Sequence, residues 1–190
     1  MKAPAVALAL LFWPLCAAGQ SLPALFDVTD VARDDVLNIR SGPDTGFGIV
    51  GTLAPDARNI EVVERDDTRD WGRINFDEGS GWVSLRYLRR QPGQAPDALP
   101  RPLACSGTEP FWTFTVESGP EAEFQWLGEA PRRFDNLFSV NSSNRTDRYA
   151  ILADGAQGVL TSVFHQTVCS DGMSDRLYGL SVDIFLTGEK

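Results

Sequence analysis

One stretch of the chain predicts a β-strand and the turn that ends it: Val36-Leu37-Asn38-Ile39-Arg40-Ser41-Gly42-Pro43. Apolar and polar residues alternate up to Arg40, as in a β-strand with one buried face, and Ser41-Gly42-Pro43 supplies turn residues. Similar short runs follow at intervals of about 8 to 12 residues, which is typical of a small all-β barrel. They are Ile49–Leu53, Ile60–Glu64, Trp71–Phe76 and Gly81–Ser84. We exclude a helical bundle, because no long stretch has helical periodicity.

The composition changes after Arg90. Residues 91–102 contain four prolines, and this density favours extended, semi-rigid backbone without ladder hydrogen bonds. We therefore predict a linker that spaces the two halves apart, so that they do not share one core. Alternating runs beyond it predict a second, antiparallel β domain, so the expected fold class is all-β. The expected strands are Phe111–Glu117, Glu123–Leu127, Arg148–Leu152, Gly158–Gln166 and Leu177–Leu186, with a polar loop at Asn136–Asp147.

The first 19 residues have the layout of a secretory signal peptide. Lys2 is followed by the apolar run Ala3–Leu15 and then by the small residues Ala17 and Gly19. The run is shorter than the roughly 20 residues of a membrane-spanning helix, so we predict cleavage after Gly19, no membrane span and a periplasmic or secreted protein. Cys16 does not predict a lipid anchor, because the residues just before it are not small. The predicted segments are a leader at 1–19, a barrel at 25–90, a linker at 91–102 and a second domain at 103–190.

The chain is acidic, with a formal charge of −9. Without the leader it has 16 basic and 26 acidic side chains, a charge of −10. Both halves share this acidity, with −4 over residues 25–90 and −6 over residues 105–190, so it favours general solubility. We expect neither nucleic acid nor anionic lipid as a partner, because a polyanion would be repelled.

Two cysteines, Cys105 and Cys169, remain after removal of the leader. In an exported chain such a pair is most simply a disulfide, which would stabilise the fold by about 4 kcal/mol in the chain-entropy model. A metal site or a redox pair does not fit, because there is no CxxC motif or neighbouring histidine ligand. The sequence therefore predicts a disulfide-linked second domain.

Four segments of the first half together resemble the bacterial SH3 domain. They are Leu37–Phe47, Gly51–Leu53, Trp71–Ile74 and Gly81–Leu88. In this pattern Leu37 and Ile39 face inward, and Gly81 allows a close approach before Trp82, which we expect to close the barrel. The resemblance implies an exported protein that binds cell-wall peptides or other extended peptides. Such domains often lie beside a hydrolase, but none is recognised in this chain.

Ligand binding by the barrel would suit aromatic side chains that bracket charges. Phe47, Trp71 and Tyr87, with Arg40 and Asp44, are our candidates. The alternative is structural: Trp71 and Tyr87 pack over the barrel and Arg40 pairs with Asp44.

The second half has two signatures, Cys105-Ser106-Gly107-Thr108-Glu109-Pro110-Phe111-Trp112 and Cys169-Ser170-Asp171-Gly172-Met173-Ser174-Asp175-Arg176-Leu177-Tyr178. Both resemble signatures of an uncharacterised family of exported bacterial proteins and lipoproteins. That family implies no activity. Gly179 stands where the resemblance leads us to expect proline.

The signatures could also hold an alternative, catalytic site. A bridge between the cysteines would gather Glu109, Asp171 and Asp175, with His165 nearby, and such groups can transfer protons or hold a metal. Against this, the carboxylates lack EF-hand spacing, and neither a phosphate loop nor a nucleophile elbow occurs. In the structural reading Asp171 and Ser174 cap a turn, Met173 fills core and Glu109 accepts backbone hydrogen bonds.

We therefore predict a non-catalytic, exported binding or structural protein of the bacterial cell envelope, with no cofactor and no metal. Its expected partners are peptidoglycan stem peptides or periplasmic protein segments. One alternative is a weak hydrolase or metal-dependent enzyme built on the Cys105 and Cys169 loops. Another is a structural spacer whose barrel binds nothing.

Overall fold

The computed structural model describes residues 21–95 and 98–188. These residues form fifteen β-strands and one turn of 3-10 helix, Leu85–Tyr87, which confirms the all-β prediction. The predicted leader, with Cys16, lies outside the described residues. Within the described ranges, no helix is long and apolar enough to cross a membrane.

Seven strands of the first half form one antiparallel sheet with the order β3-β2-β6-β5-β4-β1-β7. They are β1 (Ala24–Val28), β2 (Leu37–Arg40), β3 (Ile49–Leu53), β4 (Ile60–Arg65), β5 (Trp71–Phe76), β6 (Gly79–Ser84) and β7 (Leu88–Arg90). Apolar side chains from six of these strands meet in one buried cluster, which includes Ile39, Val62, Ile74 and Val83. A single sheet that encloses its own core has to curl, so the first half is the predicted barrel.

Eight strands of the second half form two four-stranded antiparallel sheets. The first contains β8 (Leu103–Thr108), β9 (Phe111–Val116), β10 (Ala122–Trp126) and β11 (Arg132–Phe134), and the second contains β12 (Phe138–Asn141), β13 (Arg148–Gly155), β14 (Gly158–Cys169) and β15 (Tyr178–Thr187). Their inner faces share one core, in which the rings of Phe114 and Phe164 lie 6.3 Å apart between centroids. The second domain is therefore a β-sandwich.

Several strands were missed by the sequence analysis: β1, β7, β8, β11 and β12. β12 lies inside the segment that we predicted as a loop, so the prediction of a loop from residue 136 to 147 is wrong at Phe138–Asn141. These strands are short or mix small and polar residues, and they gain stability from neighbouring strands rather than from an alternating pattern of their own.

The buried residues of the two halves form separate clusters, but the halves are not spaced apart. The Asn75 side chain of β5 donates to the carbonyl of Leu177 at 2.7 Å and accepts from its N–H at 2.9 Å. The N–H of Asp175 also donates to the carbonyl of Glu78 at 3.1 Å. The second signature loop is thus docked on the β5–β6 hairpin, which a reading of linker composition could not reveal.

The segment before β1 strengthens this docking, and the linker is held on the barrel. Gln166 of β14 donates a hydrogen bond to the carbonyl of Leu22. A Cβ at Gly179 would lie only 2.8 Å from Pro23, so the unexpected glycine leaves the space that Pro23 fills. Gln94 of the linker both donates to and accepts from the backbone of Leu25, at 2.8 and 2.7 Å, in the manner of an added strand.

Candidate functional site

Three of the five predicted ligand residues lie together in the β2–β3 hairpin. The Arg40 guanidinium donates to the carbonyl of Phe47 at 2.7 Å, and Asp44 accepts from the N–H of Gly46 at 2.7 Å. The Phe47 ring covers Gly42, where a Cβ would lie 2.6 Å from it, yet Phe47 remains 47% exposed. Arg40 and Asp44 therefore order the loop through its backbone and do not form the ion pair that the structural reading expected.

Trp71 and Tyr87 lie elsewhere on the barrel. Trp71 begins β5 and is half-buried. Its backbone N–H donates a hydrogen bond to the Asp66 carboxylate at 2.8 Å. Tyr87 packs against the barrel core, and the Arg86 guanidinium lies 5.6 Å from its ring centroid. No ring contact within the described residues joins either side chain to Phe47, so the structure brings together only part of the predicted set.

Trp82 does not close the barrel, contrary to our expectation. Its neighbours Gly81 and Val83 are buried, so alternation along β6 turns Trp82 to the outer face, where it is half-buried. The Arg73 guanidinium lies 5.5 Å from its ring centroid. The alternation of side-chain direction along β6 could have predicted the outward position of Trp82, because Val83 beside it is the apolar residue that packs in the core.

The free edge of β3 is the feature that the sequence analysis missed. Among the described residues, β3 ends the strand order of its sheet and pairs with β2 alone. Its apolar residues are unusually exposed, Ile49 by 55% and Val50 by 46%, and Phe47 precedes them. An edge strand with unpaired backbone groups and exposed apolar side chains can accept an extended peptide as a further strand.

The second signature loop is organised around Asp171. Its carboxylate accepts from the N–H groups of Met173 and Ser174, both at 2.9 Å, and from the hydroxyl of Tyr178 at 3.3 Å. These hydrogen bonds, chiefly the two from the backbone, lower the pKa of Asp171. Asp171 therefore caps a turn, but Met173 is 69% exposed and does not fill the core.

The remaining members of the alternative site are not assembled around Asp171. His165 on β14 lies 3.5 Å from the Asp147 carboxylate, and Glu109 and Asp175 are exposed. Asp147 also binds Arg145 and Arg148, and these contacts lower its pKa to about 2. In the described part of the chain, no three His, Cys, Asp or Glu side chains are placed to hold a metal ion.

A cleft of about 450 Å³ lies between the two halves. We call it the interdomain cleft, and its walls include Glu61 of the barrel and both Cys105 and Cys169 of the sandwich. Glu61 is open to solvent through the cleft, but the surrounding protein raises its pKa, an effect that the Arg176 charge partly offsets. Nothing in the local sequence marked Glu61 as part of a site.

The predicted disulfide is not formed in the structure, where both cysteines are free thiols. The Cys169 thiol lies against the carbonyls of Leu180 at 3.5 Å and Tyr178 at 3.7 Å, the backbone of the neighbouring strand. Burial raises the pKa of Cys105 to about 12, and charges on Cys169 and Glu61 add to this. At neutral pH Cys105 is therefore a thiol and a poor nucleophile or metal ligand.

Comparison with known proteins places the barrel in a family. Residues 35–89 match the model of the bacterial SH3 domain. Over 60 residues the chain is 32% identical to a putative N-acetylmuramoyl-L-alanine amidase of Bacillus subtilis strain 168, YrvJ, and this match covers 32% of the chain. The chain spans only 11% of the length of that relative. No solved structure matches the chain.

The family match begins just before β2 and ends in β7, so it includes the hairpin and the β3 edge described above. The resemblance drawn from the four sequence segments is confirmed, and residues 35–89 of this chain are a bacterial SH3 domain.

Proposed function

We propose that this protein is a non-catalytic binding protein of the bacterial cell envelope whose SH3 domain binds extended peptides. The observation that carries the proposal is the β3 edge, where exposed Ile49 and Val50 lie beside the Phe47 loop. The ligand pairs with the β3 backbone, and Phe47 and Arg40 contact its side chains. Peptidoglycan stem peptides and segments of periplasmic proteins are the proposed ligands, and the similarity to a putative cell-wall amidase supports this choice.

Binding of this kind should be weak. One strand edge and one aromatic side chain bury little area, so we expect a Kd of about 10 µM to 1 mM. Low affinity suits a domain that holds its protein near the wall and leaves it free to move.

Titration of protein comprising residues 20–190 with soluble wall fragments, followed by NMR, tests the proposal. Backbone amides of β3 and the Phe47 loop should shift, and Phe47→Ala should weaken binding about five- to tenfold through loss of an aromatic contact. Phe138→Ala is the matched control, because Phe138 is 64% exposed on β12, an edge strand of the other domain. An absence of shifts at millimolar fragment would favour the spacer alternative, and shifts centred on Trp71 and Tyr87 would move the site to that part of the barrel.

The proposal includes export through a leader cleaved after Gly19 and a bridge between Cys105 and Cys169. Both thiols line the interdomain cleft, and the influence of the Cys169 charge on Cys105 supports their proximity. In an oxidising compartment, exchange with an oxidised protein disulfide would form the Cys105–Cys169 bond and leave the oxidant as a dithiol, which takes up the two electrons and two protons.

A further inference from the structure

One groove on the SH3 domain concentrates positive charge. We call it the arginine groove, and its lining includes Arg65, Arg69, Arg86, Arg89 and Arg90. Asp30 is the one acidic residue that lines it in the described part of the chain. The lining thus has a formal charge of +4 in a chain of −9. The net charge over residues 25–90 does not reveal this groove. Its local positive charge weakens the prediction that anions are repelled.

The arginines reach the groove from several elements of the barrel. β1 lies between β4 and β7 and runs antiparallel to both. Arg65 ends β4, and Arg90 ends β7 opposite Phe26 of β1, which lines the groove together with Thr29 and Asp30. Arg69 lies in the turn after β4, and Arg86 lies in the 3-10 turn that leads into β7.

Three arginines of the groove lie outside the salt bridges of the described residues. Within the described residues, Arg69, Arg86 and Arg89 form no salt bridge. Asp27 lies opposite Arg89, and its pKa is lowered by a hydrogen bond from Gln91 at 2.7 Å and also by the charges of Arg58, 3.6 Å away, and Arg89.

Arg90 and Arg65 are the two arginines of the groove that are partly buried. Arg90 donates to the carbonyl of Ser21 at 2.8 Å, which holds the guanidinium in place. Burial lowers the pKa of Arg65, and the positive charges of Arg90 and Arg69 lower it further. Like charges have thus been brought together at a cost in free energy, and a bound anion would reduce their repulsion.

We propose that the arginine groove binds a phosphate group with two or more negative charges, either free in solution or on a lipid headgroup. A planar guanidinium offers paired N–H donors that fit phosphate oxygens, and several guanidinium groups can share one phosphate. A single carboxylate would compensate only one of the charges. The site is distinct from the proposed peptide site, since Phe47, Ile49 and Val50 do not line the groove.

Isothermal titration of protein comprising residues 20–190 with inorganic pyrophosphate at low salt tests the proposal. Arg69→Gln combined with Arg86→Gln should weaken binding about tenfold or more through loss of two charge-assisted contacts. Arg33→Gln combined with Arg133→Gln is the matched control, because both residues are exposed outside the groove, and it should change the affinity less than twofold. Thermal melts verify that both double variants are folded.

Vesicles distinguish the two sources of phosphate. Binding of pyrophosphate, but not of phosphatidylcholine vesicles that contain phosphatidic acid, identifies a free phosphate as the ligand. Binding of these vesicles but not of pyrophosphate identifies a lipid headgroup as the ligand, if the variant with Arg69→Gln and Arg86→Gln loses the same affinity for the vesicles. The proposal is overturned if neither probe binds, if both double variants bind equally, or if the tricarboxylate tricarballylate binds as tightly as pyrophosphate.

Discussion

Three side chains in the interdomain cleft have pKa values that their surroundings raise. Cys105 is on a strand that the sequence analysis missed, and burial there raises its pKa to about 12. Raised pKa values hold both cleft thiols in the protonated form at neutral pH. Glu61 faces the same cleft from the other domain, and the protein around its carboxylate also raises its pKa. These residues are brought together by domain docking, which local sequence does not encode.

The state of the cysteines gives the prediction at this scale. In protein recovered from the export compartment, we expect the peptides of Cys105 and Cys169 to be joined and the N-terminus to be Gln20. The physical reason is that an oxidising compartment drives pairing of two thiols that share a cleft. Mass spectrometry of non-reduced peptides measures both features, and reduced protein is the control. Two alkylatable cysteines in native exported material would contradict the bridge.

At the scale of the element, the alternating direction of side chains along β6 decides which residues enter the barrel core. Gly81 and Val83 are buried in the barrel core, while Trp82 lies outside under the Arg73 guanidinium. The largest side chain of the strand therefore contributes to the outer surface and not to the core. Size and hydrophobicity alone suggested the opposite.

The stability of two variants tests this arrangement. Trp82→Ala should lower the free energy of unfolding by about 1 to 2 kcal/mol, since a half-buried ring and a cation–π contact are lost. Ile74→Ala should lower it by about 2 to 5 kcal/mol, because Ile74 is only 1% exposed and its truncation leaves a cavity. Urea denaturation measures both values. An equal or larger loss for Trp82→Ala would mean that the ring supports the core after all.

At the scale of the whole molecule, the docking of the two domains is the main finding. Asn75 of the barrel and Leu177 of the sandwich are 102 residues apart in the chain and exchange two hydrogen bonds. The docked signature loop also carries Asp171, whose hydrogen bonds shape the turn. The loop therefore serves as a contact surface between the domains.

Loss of this contact should uncouple the domains. Asn75→Ala removes both hydrogen bonds and leaves backbone groups of Leu177 without these partners, at a cost of about 1 to 3 kcal/mol. Calorimetry should show the thermal transitions of the barrel and the sandwich moving apart. Asn38→Ala is the control, since Asn38 is half-buried on β2 and its side chain has no hydrogen bond to the sandwich in the described residues. The same separation in both variants would contradict a specific coupling role.

The sequence by itself determined the fold class, the barrel and its family. Local alternation and turn residues such as Ser41-Gly42-Pro43 specify strands and their ends, because side-chain direction in a strand has a period of two residues. Only the tertiary structure decided the β3 edge, the arginine groove and the interdomain cleft. Each of these depends on which strands become neighbours. The groove, for example, is lined by both Arg65 and Arg90, which are far apart in the chain, and local pattern contains no signal for such a placement.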